Sequence, residues 1–296
     1  MGKYDLTISD IETNVNRFLT YVYGSAVSSQ KPEIDFIVAG PGAGKSGVEA
    51  FLKYQLKEKG ERAAVVSSDK IAEFHPKYDE AIEELPEECY RITRQFVRPA
   101  TPKIFQALRK NRINILNENT FDKGENDIDF VKKFKDSGYK TSINIIATDM
   151  FISRLSCYER EALMLECGDS PRGISKETQE RMYNSFVNEI QQLENMNLCD
   201  EINVYVRGES VNKPKLVYQL GDNKYRNCNE ALITERAKQR NEILKNPVEY
   251  LSKIETARKS IIKNGLNPIL TANSVEGLKE LEKDFLKELN KQKSLE

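Results

Sequence analysis

The stretch AGPGAGKSG at 39–47 constrains this chain more than any other. It follows the apolar run IDFIVA at 34–39. It precedes a segment in which Val48, Phe51, Leu52 and Leu56 recur at helical spacing until Gly60. Strand, glycine-rich turn and helix, in that order, are the context of a phosphate-binding loop. Glycines let successive backbone N–H groups turn toward anionic oxygens, and the following helix adds the positive end of its dipole. Against the pattern GxxxxGK[ST] the first position is Ala39, while Gly40, Pro41, Gly42, Ala43, Gly44, Lys45 and Ser46 keep the rest intact. Lys45 is expected to reach the β- and γ-phosphates of a nucleotide, and the Ser46 hydroxyl to ligate Mg²⁺.

Further apolar runs follow at 63–67, 113–116, 143–147 and 202–206, separated by helical patterns. Short apolar runs alternating with helices predict an α/β fold. The expectation over about 30–222 is a P-loop kinase-like, three-layer parallel sheet with helices on both faces, and KLVYQL (215–220) closes a hairpin with the 202–206 strand. An N-terminal helix is expected over 8–23, and helical text fills 70–110 with breaks at Pro86, Pro99 and Pro102. Residues 1–225 form the expected phosphotransferase core and 226–296 a charged, helical C-terminal extension. In that extension Pro247 suits a first turn, Asn264-Gly265 a helix end and NSVE (273–276) a capping box. Leu278, Leu281, Phe285 and Leu289 mark one apolar face there.

Composition narrows the class. A net charge of −1 argues against a surface built for nucleic acid. No apolar run is long enough to span a bilayer. MGKYDLTISDIETNV lacks the apolar core of a secretory leader. One histidine and five scattered cysteines without a CxxC argue against zinc and for reduced thiols in a cytoplasmic protein.

A phosphate-binding loop alone does not name a reaction. A guanine-reading NKxD is missing, since NKPK (212–215) lacks the aspartate, and no apolar strand ends in Asp-Glu as in motors and ATPases. The second apolar run ends instead in SSD, with Asp69 last. Parallel strands deliver side chains from their carboxyl ends into the ligand crevice. A carboxylate facing the γ-phosphate there can accept the proton of an attacking hydroxyl. The other reading of Asp69 is the N-cap of the next helix, a position that aspartate favours.

The loop, then SSD with HPKYDE (75–80) after it, resembles the zeta toxin family of bacterial toxin–antitoxin systems. Glu118-Asn119-Thr120, SCYERE (156–161) and PRGISKET (171–178) continue the resemblance, which covers roughly 34–220. It implies an ATP-dependent kinase that phosphorylates a hydroxyl of UDP-N-acetylglucosamine, a nucleotide-sugar. It implies Lys45 and Ser46 in the loop, Asp69 as base, Glu118 and Thr120 lining the acceptor site, and Arg160 and Arg172 clasping the transferring phosphate. It also implies an antitoxin partner, with a groove in the C-terminal helices, shared with 8–23, as the place for it; a solvated layer is the other reading of those helices. From charge alone Arg160 reads as a surface ion pair with Glu159 or Glu161. His75 is expected in the acceptor-site wall, as structural support or substrate contact. Tyr78, Tyr90 and Tyr158 read as core.

Departures from the family fall on the acceptor side. Pro102 stands where an acidic residue is expected, Asp122 where an arginine is, and Asn119 replaces a glycine. Two competing readings follow: a nucleoside or antibiotic kinase with the same base and loop, and a nucleotide-binding interaction module that transfers nothing. Asp69→Asn separates the latter from any kinase.

Overall fold

The computed structural model describes residues 2–86, 88–169, 171, 175–208, 210 and 213–294. The chain opens with α1 (Ile8–Tyr23), β1 (Glu33–Val38), α2 (Lys45–Glu58), β2 (Ala63–Val66), α3 (Ser68–Ala72), α4 (Tyr78–Glu84) and α5 (Cys89–Lys110). It continues through β3 (Asn114–Asn119), α6 (Glu125–Asp136), β4 (Lys140–Ile146), α7 (Met150–Glu166), α8 (Lys176–Asn184), α9 (Val187–Asn195) and β5 (Glu201–Val206). β6 (Lys215–Gln219), α10 (Cys228–Lys245), α11 (Pro247–Asn264) and α12 (Pro268–Lys293) complete it.

One sheet runs β2-β3-β1-β4-β5-β6, parallel except for β6, which pairs antiparallel with β5 as the hairpin expectation has it. From β1 the chain moves to β2 and β3 on one side, then crosses to β4 and β5 on the other. This reversal opens a crevice at the carboxyl end of β1. Strand alternation sorts the two faces. Ile34, Phe36 and Val38 enter the principal core with α1, α5, α6, α9 and α10, whereas Ile37 meets Val48, Leu52 and Leu56 of α2. A separate apolar cluster joins the outer face of α7 to α11 and α12 through Phe151, Leu155, Tyr158, Ile254, Leu281 and Phe285.

Two local expectations are corrected. α5 runs unbroken through Pro99 and Pro102, because its stripe of Ile92, Phe96, Ala100, Ile104 and Leu108 is buried along the whole length. Packing there outweighs two lost backbone hydrogen bonds. Only Pro86 falls at a break, between α4 and α5. The NSVE segment lies inside α12 and starts nothing. Asn267 begins that helix by accepting from the N–H groups of Ile269 and Leu270, with Pro268 in the first turn. The N-terminal helix carries a capping box of its own, Thr7 and Asp10, and Pro247 opens α11.

Candidate active site

The loop between β1 and α2 has two left-handed glycines, Gly42 at φ 70° and Gly44 at φ 104°. A Cβ on Gly42 would lie 2.1 Å from the Ser153 carbonyl oxygen of α7, so only glycine lets the loop pass this close to that helix. Side chains from distant elements hold the loop carbonyls. The Ser153 hydroxyl donates to Pro41 at 2.5 Å and the Thr148 hydroxyl to Ala43 at 2.8 Å. Arg207, just beyond β5, donates through Nε to the Ala43 carbonyl at 3.3 Å and through a terminal nitrogen to that of Gly42. Its other terminal nitrogen reaches the Ser156 hydroxyl at 3.0 Å. The Lys45 ammonium donates to the carbonyls of Ala39 and Gly40 at 3.0 and 3.1 Å.

Two carboxylates act on the charge of that ammonium, Glu118 near the end of β3 and Asp69 in the first turn of α3. Burial pushes the Lys45 pKa down, and the nearby charges of Glu118 and Asp69 oppose the shift. Glu118, at the end of β3, is pushed up by burial, against the pull of Lys45. Asp69 lies exposed in the first turn of α3. The cap of that helix is Ser67, whose side chain accepts from the Lys70 N–H, so Asp69 is not the capping residue.

A turn past β3 forms the next wall. The Asn119 side chain accepts from the N–H groups of Thr120 and Phe121 at 2.7 and 3.1 Å. The Thr120 hydroxyl donates to Asp122 at 3.0 Å, and Asp122 pairs with Arg181 of α8 at 2.7 Å. A cavity of about 170 Å³ is lined by Asp69, Cys157, Tyr158, Arg160, Glu161 and Gln179, among others. Behind it, C-terminal helices brace the wall. Asp284 of α12 accepts from Arg154 of α7 at 2.8 Å and from Lys176 of α8 at 2.7 Å, and Ser274 donates to Glu161.

A model of the zeta toxin family matches residues 20–214, more than half of the 296 residues. The chain belongs to the zeta toxin family. Toxin PezT of Streptococcus pneumoniae serotype 4 is 26% identical over 211 residues, which are 70% of this chain and 81% of PezT. A chain from the structural characterisation of the PezAT chromosomal toxin–antitoxin system of that pathogen has a TM-score of 0.67 at 21% identity, over 86% of this chain and 99% of the other. AvrRxo1-ORF1:-ORF2 solved with ATP has a TM-score of 0.55 at 11% identity, over 92% and 86%. At such identities the solved structures show a common fold. α10 to α12 lie beyond the family match.

Within this zeta toxin fold, Lys45, Asp69, Glu118 and Arg160 converge electrostatically, since Lys45 responds to all three of the others. Gly40, Pro41, Gly42, Ala43, Gly44, Lys45 and Ser46 form the loop and the first turn of α2, as expected. Thr120 lies just past β3 with its hydroxyl engaged by Asp122. His75 is buried, its Nδ1 accepts from the Lys77 N–H, and burial first and the Lys77 charge second push its pKa down, which favours the neutral ring. Arg172 lies outside the described residues. Sequence reasoning missed Arg207, Asp284 and Arg181, whose partners are far away along the chain; only the positive charge next to a glycine in VRG hinted at the first.

Proposed function

We propose that this zeta toxin family member is an ATP- and Mg²⁺-dependent phosphotransferase. It moves the γ-phosphoryl group of ATP to a hydroxyl of a nucleotide-sugar, UDP-N-acetylglucosamine by family resemblance. The observation that carries the reading is the glycine loop closed on the Lys45 ammonium, with Asp69 and Glu118 acting on its charge and Asp69 and Arg160 lining one cavity. Asp69 takes the proton from the acceptor hydroxyl as its oxygen attacks phosphorus, and the bond to the β-phosphate oxygen breaks to release ADP. Lys45 turns from the Ala39 and Gly40 carbonyls to the β- and γ-phosphates. Arg160, exposed on α7 and lining the cavity, offsets charge on the transferring group, with Arg172 as its family counterpart. Glu118, Thr120 and His75 hold the acceptor.

Mg²⁺ takes hard oxygen donors. The Ser46 hydroxyl in the first turn of α2 fits that preference, with the Glu118 and Asp69 carboxylates near the adjoining Lys45. Bound with the phosphates, the ion neutralises their charge. The AvrRxo1-ORF1:-ORF2 structure solved with ATP supports the choice of nucleotide, and the PezAT system supports an antitoxin as partner. Five free thiols among the described residues fit a cytoplasmic setting. No helix of the described residues is long and apolar enough to cross a membrane.

The engagement of Thr120 and Arg181 by Asp122 favours a second reading, the same transfer to a different alcohol, such as a nucleoside or an antibiotic. Mass spectrometry after incubation with ATP, Mg²⁺ and a panel of nucleotide-sugars and nucleosides decides between them. One phosphoryl group gained by UDP-N-acetylglucosamine supports the first reading, and a gain on another alcohol moves the assignment. Lys45→Ala should abolish transfer. Asp69→Asn should lower kcat by about 10²–10⁴ with ATP still bound. Normal turnover in Asp69→Asn would remove the base assignment.

A further inference from the structure

In a trans peptide the carbonyl of one residue and the N–H of the next point in opposite directions. Whatever pins a loop carbonyl outward therefore turns the following N–H inward. Three successive carbonyls here are pinned from outside, those of Pro41, Gly42 and Ala43. Ser153 and Thr148 hold one each with a neutral hydroxyl. Arg207 grips two neighbouring carbonyls and fastens the same guanidinium to Ser156 of α7. The peptides it holds belong to the Ala43 and Gly44 N–H groups, between and at the two left-handed glycines. Its Nε would lie 3.4 Å from a Cβ on Gly44, so the side chain rests directly against the loop. A rigid planar fork with five N–H donors suits this triple duty, and an ammonium does not.

We propose that Arg207 is a positioning residue that sets the phosphate-binding loop for the polyphosphate of a nucleotide. The proposal rests on the nucleotide-binding reading above. By fixing the Gly42–Ala43 and Ala43–Gly44 peptides, Arg207 presents two backbone donors to the anion before it arrives. An arginine serving only surface charge would not need all three nitrogens engaged, two of them with residues 164 and 165 positions earlier.

Binding of ATP and of tripolyphosphate, each with Mg²⁺, measured by calorimetry on the full chain and on Arg207→Ala and Arg207→Lys, tests this. Arg207→Ala should weaken both ligands by the same factor, about tenfold or more. Arg207→Lys should lose nearly as much, and all three proteins should melt at closely similar temperatures. Lysine restoring wild-type affinity would overturn the proposal, since charge rather than the fork would be responsible. So would a loss for ATP without a loss for tripolyphosphate, which assigns Arg207 to the base or sugar. A melting temperature well below wild type in both variants would also overturn it, by making Arg207 a general structural support. Wild-type affinity in Arg207→Ala would overturn this proposal alone, whereas wild-type protein that bound neither ligand would overturn the nucleotide reading with it.

Discussion

Asp35 on β1 accepts a hydrogen bond from the Asn144 side chain on β4 at 3.0 Å, and Asn203 on β5 donates to Asn144 in turn. Burial of the Asp35 carboxyl raises its pKa from 3.8 to about 6; the Asn144 bond opposes the rise, Glu33 and Glu201 add to it, and Lys140 opposes it. An acid harder to ionise in the fold than in the unfolded chain keeps its proton in the native state between those two values. Stability contributed there is full below about pH 4 and declines as pH rises toward 6, leaving a deficit on the order of 2–3 kcal/mol at neutrality. Asp35→Asn should thus melt above the parent at about pH 7.5 and close to it at about pH 3.5, with melting curves across that range as the check. A variant that melts lower at every pH would refute the argument. The loop that holds Lys45 and Ser46 was legible in the sequence because strand, glycine turn and helix adjoin along the chain. The nearness of Asp69 and Glu118 to Lys45 was legible because each follows or ends a parallel strand, and the carboxyl ends of such strands meet at one crevice. Asp122 stood out as a departure, but its partner Arg181 lies 59 positions later, and no periodicity links two such residues.

At the scale of elements, the six strands and most helices followed from apolar periodicity, because alternation and 3.6-residue spacing reflect burial on one face. α5 was misread because proline is a local signal and burial a long-range one. Pro102 is exposed on that helix, removes a backbone donor and crowds the preceding turn. Pro102→Ala should stabilise the protein by about 1–2 kcal/mol in urea titrations, the helix-propensity gain less the entropy that the proline removes from the unfolded chain. No gain, or a loss, would mean that the helix has already adapted its course to the ring. The start of α12 was misplaced for a related reason. NSVE has the letters of a capping box, but Ser274 is turned to Glu161 and Asn267-Pro268 starts the helix earlier.

At the scale of the molecule, α7 belongs to two assemblies. One side presents Ser153, Ser156, Cys157 and Arg160 to the loop and cavity, and the other presents Phe151, Leu155, Tyr158, Ala162 and Leu165 to α11 and α12. Uncovering the four large side chains among them, at about 1.5–3 kcal/mol each, costs as much as the entire stability of an ordinary domain, about 5–15 kcal/mol. A chain ending at Lys245 should therefore aggregate or bind an apolar dye and melt without cooperativity, whereas cooperative melting near the parent temperature would make α11 and α12 dispensable. The apolar face of Leu278, Leu281, Phe285 and Leu289 showed in the sequence, but its docking on α7 did not, since nothing local links the two segments. The pinned carbonyls of the loop have a consequence for engineering. GPGAGKS is not a portable cassette. Grafted between another strand and helix, the seven residues would arrive without Thr148, Ser153 and Arg207, and an incoming anion would have to order them at the expense of its own affinity.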